Sequence, residues 1–228
     1  MIRTGFTKAA MVATLSLGAL AAPVATASAQ DVFSIEGPVS LQDVSGRPDL
    51  LLLDFLQGNV IVRGTSTGAF AGLAAGANVN IMDLQVANSI PGFQGIPMAN
   101  FMSVGGYTFT LTGVQSATLP APGGLTWGPI AISPSGNGSS ATFNVVGVVT
   151  GGAYGAQGAN YSGVFTSQFA NLTPTQVFNQ INSGGTVTTT FSAQFTATVI
   201  PEPSTYALMA TGLLGLGGLA ARRRRTQV

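Results

Sequence analysis

From Val187 to Val199 the chain alternates without a slip. Val187, Thr189, Phe191, Ala193, Phe195, Ala197 and Val199 share one side, and Thr188, Thr190, Ser192, Gln194, Thr196 and Thr198 the other. A helix turns by about 100° per residue and would scatter both sets around its axis. An extended strand gathers them onto two faces, one of rings and branched carbons, the other of hydroxyls and amides. Such a strand has one face on a core and one in water, which is the habit of antiparallel sheets.

The same period recurs upstream. Tyr107, Phe109 and Leu111 alternate with threonines; Ala141–Val149 is valine-rich, and Tyr161–Phe169 alternates more loosely. Val32–Glu36, Leu50–Leu56, Asn59–Arg63 and Val79–Val86 read as further strands, with Gln57-Gly58 as a tight hairpin between two of them. Glycine and proline clusters punctuate the runs at 105–106, 120–124, 134–139, 151–152 and 184–185. One helix is expected near 174–183. Thr173 caps it, Pro174 suits its first position, Gln176 completes a capping box, and Gly184 ends it. The fold class is mainly β: an antiparallel β-sandwich or jelly-roll-like body with one short helix.

Charge is scarce and segregated. Only 7% of the 228 residues are charged, against roughly a quarter in an ordinary soluble domain. Arg3 and Lys8 lie at one end and Arg222, Arg223, Arg224 and Arg225 at the other. Between them, Arg47 and Arg63 face six acids, a net charge of −4, and residues 84–200 carry no charge. A mildly acidic body without basic clusters argues against nucleic acid as a partner.

The chain has neither cysteine nor histidine, which removes disulfides, Ser-His-Asp and Cys-His catalysis, and the usual zinc ligands. Glu36, Asp43, Asp49, Asp54 and Asp83 could supply a carboxylate pair, or, as Asp43, Asp49 and Asp54, a calcium site, but their spacing singles out neither. Gly64-Thr65-Ser66-Thr67-Gly68 lacks the lysine of a phosphate loop and reads as a flexible connection. Trp127, between Gly123-Gly124 and Pro129, reads as a loop-borne exposed ring that could stack on a sugar. No enzymatic activity, cofactor or metal is expected.

The two ends carry addresses. Arg3 and Lys8 precede an apolar run from Ala9 to Ala22, and Ala27-Ser28-Ala29 offers small residues for cleavage before Gln30. Residues 1–29 therefore read as a secretory signal peptide, which implies the Sec machinery and signal peptidase as partners. At the other end stand Pro201, Glu202, Pro203 and Ser204, whose prolines keep the segment extended. An uncharged run follows over 205–221, expected to form a single transmembrane helix, and then Arg222–Arg225. Arginines remain on the cytoplasmic side, which places the body outside.

This three-part tail, 201–204, 205–221 and 222–225, resembles the PEP-CTERM sorting signal of Gram-negative bacteria that make exopolysaccharide. The resemblance implies recognition by an exosortase and cleavage at or near the motif, with this chain as substrate. The body also resembles uncharacterised PEP-CTERM proteins. The expected organisation is a leader (1–29), a β-rich body (30–200) and a sorting signal (201–228). The expected role is that of a non-enzymatic surface or biofilm-matrix protein. Its precursor would be held at the inner membrane with the body in the periplasm, then delivered to the cell surface or beyond. A secreted carbohydrate-binding module acting on exopolysaccharide is the alternative.

Overall fold

A computed structural model describes residues 30–44, 47–87, 96–116, 120–199 and 209–216. In chain order the strands are β1 (Asp31–Val44), β2 (Arg47–Phe55), β3 (Ile61–Arg63), β4 (Asn80–Ile81), β5 (Leu84–Ala87), β6 (Met98–Val104) and β7 (Tyr107–Ser116). They continue with β8 (Leu125–Trp127), β9 (Ile130–Ser135), β10 (Gly138–Gly151), β11 (Gly155–Phe169) and β12 (Thr186–Val199). Helix α1 (Pro174–Asn182) lies between the last two. The expectation of a mainly β, antiparallel body is met, and the alternating strand at 187–199 is β12.

All twelve strands belong to one antiparallel sheet, ordered β4-β6-β7-β10-β11-β12-β1-β2-β5 along its main path. Chain connectivity shows that this sheet curls. β4 and β5 stand at opposite ends of the path, yet only Met82 and Asp83 separate them. Eight strand spacings of about 4.8 Å would hold flat edges roughly 38 Å apart. Three Cα steps of 3.8 Å reach only about 11 Å. The edges must therefore meet, and hydrogen bonds across the seam show that they do: Met82 N–H donates to Phe101 O at 2.8 Å, and Phe55 N–H to Asp83 Oδ1 at 3.0 Å.

Curling turns one face inward, and aromatic rings fill the enclosed space. Phe33 of β1 lies 5.0 Å from Phe195, 4.7 Å from Phe70 and 5.5 Å from Phe109 of β7, measured between ring centroids. Two inward glycines make room for these rings. A Cβ on Gly147 would lie 2.7 Å from the Tyr161 ring of its cross-strand partner, and one on Gly163 would lie 2.7 Å from Phe195.

The Gln57-Gly58 hairpin is corrected. Gly58 does turn, with φ of 85°, but β2 and β3 do not pair. Both run antiparallel to β1 along the same edge. Val39 pairs with Phe55 and Glu36 with Ile61, so three steps on β1 face six on its partner. Three residues are looped out, and the chain resumes its direction. The reason is Gly37: without a side chain it lets Val60 tuck inward, its Cγ2 2.9 Å from where a Cβ would stand.

α1 forms as its sequence dictates. Thr173 Oγ1 accepts from Gln176 N–H, and Thr173 N–H donates back to the Gln176 side chain. Val177 and Ile181 are buried, and the helix contacts β1, β9, β10 and β12. It covers the end of the barrel where β11 finishes and β12 begins, here the far end.

Candidate functional site

At the opposite, near end, β12 finishes and β1 begins. Asp31 pairs with Ala197, and Ala159 of β11 pairs with Val199. The first strand after the expected leader thus lies beside the last strand before the expected sorting signal. Pro201, Glu202, Pro203 and Ser204 lie outside the described residues, as do Ala27 and Ala29 and the arginines 222–225. Gln30 is described, and its carbonyl accepts from Thr67 Oγ1 at 2.7 Å. Of the run 205–221, residues 209–216 are described and helical, with Met209, Leu213, Leu214 and Leu216 exposed. Among the described residues no helix is long and apolar enough to cross a membrane.

The near end is locked by one carboxylate. Asp31 is buried; its Oδ1 accepts from Ala69 N–H at 2.9 Å and its Oδ2 from the Tyr154 hydroxyl at 2.7 Å. Those two bonds tie β1 to two short 3-10 turns, Gly68–Phe70 and Gly152–Tyr154, that cap the barrel. Gly68 is required at this contact: its φ is 61°, and a Cβ there would lie 1.9 Å from Asp31 Oδ1. The Tyr107 hydroxyl donates to Ala69 O, and Tyr107, Tyr154 and Phe70 pack edge to face. Burial, and then the Asp31 hydrogen bond, push the Tyr154 hydroxyl above the usual tyrosine range, so it stays a donor. Only the glycine-rich spacing of 64–68 hinted at this clamp. That segment is corrected from flexible connection to anchored strap, because Thr67 N–H also donates to Val32 O at 2.8 Å.

Trp127 is corrected as well. It is fully buried, not loop-borne, and its ring lies 4.9 Å from Phe178 of α1. β8 places it inward beneath the helix, where it seals the far end, so it cannot stack on a sugar in solution. The flanking glycines and proline signalled the turns around this three-residue strand but hid the strand itself.

The described acids do not gather into one cluster, though Asp54 lies close enough to Asp83 to act on it. Asp83 caps the Phe55 amide at the seam, and burial, with Asp54 adding to it, holds its carboxyl above the ordinary range against the opposing hydrogen bond. Asp54 lies opposite Ser40 and Asp43 opposite Leu51. Glu36 pairs with Arg63 at 2.9 Å. Among the described residues no group of three or more acids could hold a metal ion.

Comparison with known families places residues 199–225 in the PEP-CTERM protein-sorting motif. No curated protein and no solved structure matches the chain. The motif marks an exported protein with a membrane-anchored precursor, processed by exosortase, a membrane protease.

Proposed function

We propose that this chain, with its PEP-CTERM motif at 199–225, is a non-enzymatic surface or extracellular-matrix protein whose folded body is the cargo of its own tail. Sec and signal peptidase remove residues 1–29. The tail then holds the body in the periplasm through a transmembrane helix over 205–221, until exosortase releases it to the cell surface or a biofilm matrix.

The observation that carries this reading is the placement of Val199. Pairing ends there, two residues before Pro201. Residues 200–204, even fully extended, reach about 17 Å. The near end of the barrel therefore hangs close to the membrane surface, where the processing enzyme works. The loops that cap this end, 64–75, 105–106 and 151–158, contain no charged residue. They can approach headgroups or an enzyme without the cost of stripping water from charges.

Deleting residues 201–228 tests the reading. The body should still fold, since its pairing stops at Val199, but it should leave the membrane fraction and no longer reach its normal destination. Unchanged delivery, measured by fractionation and surface labelling, contradicts the proposal.

A further inference from the structure

The outer face of the sheet carries an array that the sorting signal does not explain. Outward residues on β3, β1, β12 and β11 fall in register. One rank runs Arg63, Ser34, Gln194, Val164. The next runs Ile61, Glu36, Ser192, Thr166. A third continues from Pro38 through Thr190 to Gln168. Four strands and three ranks make a face of about 14 by 14 Å.

This face is not flat. Two adjoining depressions of about 540 and 380 Å³ lie on it and share Arg63, Thr166 and Ser192. The three residues looped out between β2 and β3 bring Asn59 to the rim of the larger one. Together they fall within the size range of small-molecule sites.

Chemistry narrows the occupant. The face holds one carboxylate and one guanidinium, paired with each other at 2.9 Å. β11 and β12 contribute no charge. An anionic polymer would find no uncommitted cation here. An added strand would find no free edge, because β1 and β12 are paired on both sides. What remains is a surface of hydroxyls and carboxamides, among which Ser34, Thr166, Ser192 and Gln194 spend no side-chain hydrogen bond among the described residues. Unspent neutral donors and acceptors on a rigid sheet match a ligand that is itself a dense array of neutral hydroxyls.

We propose that the outer face of β3, β1, β12 and β11, centred on Ser192, is a binding site for a neutral polysaccharide chain. Glu36 and Arg63 act there as a fixed polar pair whose remaining lone pairs and N–H groups meet sugar hydroxyls. The site is unrelated to Trp127, which faces the opposite side of the sheet.

Affinity electrophoresis of the full chain in non-ionic detergent tests it, with a neutral β-glucan, a neutral galactomannan and a polygalacturonate cast into separate gels. At least one neutral polymer should slow the protein. Ser192→Trp, which fills the middle of the array, should weaken that retardation at least tenfold, and the milder pair Thr166→Ala with Gln194→Ala should weaken it severalfold. Thr110→Trp, on the outer face of β7, should leave it unchanged. No retardation by either neutral polymer overturns the proposal. So does equal retardation of Ser192→Trp, or retardation by polygalacturonate alone. None of these outcomes touches the sorting reading, because the variants leave the C-terminal motif intact.

Discussion

Truncating Phe33 to alanine is expected to lower the unfolding free energy by about 3–5 kcal/mol, the usual cost of deleting a buried ring. Phe33 reaches across the curled sheet. In the strand order, β1 and β7 are four spacings apart, about 19 Å along a flat sheet. Phe33 nonetheless lies 5.5 Å from Phe109 of β7 and 4.7 Å from Phe70 of the capping turn. Its removal leaves a cavity walled by both sides of the barrel, where neighbouring backbone is least able to collapse. A domain of this size holds about 5–15 kcal/mol in total, so the loss would be roughly a fifth of it or more. Denaturant unfolding can be followed by the one tryptophan, Trp127, which is fully buried when folded. Ser34→Ala, next along β1 but outward, should change stability by less than about 0.5 kcal/mol. Equal effects at both positions would mean that the sheet does not enclose Phe33.

Asp31→Ala is expected to cost about 3 kcal/mol, because it removes two buried hydrogen bonds to a carboxylate and leaves Ala69 N–H and the Tyr154 hydroxyl without partners. Asp31→Asn should recover part of this, since its carbonyl can still accept from Ala69. Tyr154→Phe should cost less than Asp31→Ala, because only one of the two bonds is lost. The alkaline limb has a definite sign. The folded-state value of Tyr154 is raised above the ordinary 10.0, so its contribution is whole below about pH 10 and is lost as pH climbs toward the raised value. Hydrogen exchange should localise the Asp31→Ala effect to the start of β1 and the end of β12, the pair that Asp31 helps to close. Exchange that accelerates only at the far end, near α1, would show that the clamp does not hold the near end.

The sequence made the long regular strands legible because each buries one face against a common core. β12 and β10 obey the period of two almost without exception, β7 obeys it from Tyr107 to Leu111, where a bulge interrupts it, and the capping box of α1 is local chemistry that needs no tertiary contact. Val199 breaks the rule: it lies on the apolar side of β12 yet is exposed, because the barrel ends there. β6 was hidden by a bulge. Met98 pairs with Leu111 and Met102 with Phe109, so four steps face two, and Phe101 and Met102 are buried in succession. Asn100 absorbs the extra chain with φ of 55°. β1 was legible only to Glu36, because Gly37-Pro38 looks like a turn; Pro38 instead falls at the gap where β3 has ended and β2 has not begun. Gln57-Gly58 misled for a related reason. A glycine with positive φ specifies a turn, but whether the chain then reverses or rejoins the same edge is decided by what lies across the sheet.

The candidate sites divide in the same way. The sorting motif is a linear peptide, read by an enzyme as sequence, so its residues suffice to identify it. The Asp31 clamp joins residues 38 and 123 positions apart, and no local pattern announces it. The hydroxyl and amide array depends on register across four strands, which periodicity alone cannot supply. Trp127 failed as a surface candidate because a three-residue strand is too short to show which face it buries.

The most direct test of the central claim is the intact mass of the mature protein from cells with and without exosortase. With the enzyme, the chain should begin at Gln30 and end at or near Pro201–Ser204, close to the last paired residue, Val199. Without it, the chain should run to Val228 and stay with the membrane. A mature chain that ends at Val228 in both strains, or at the same earlier residue in both, contradicts the account.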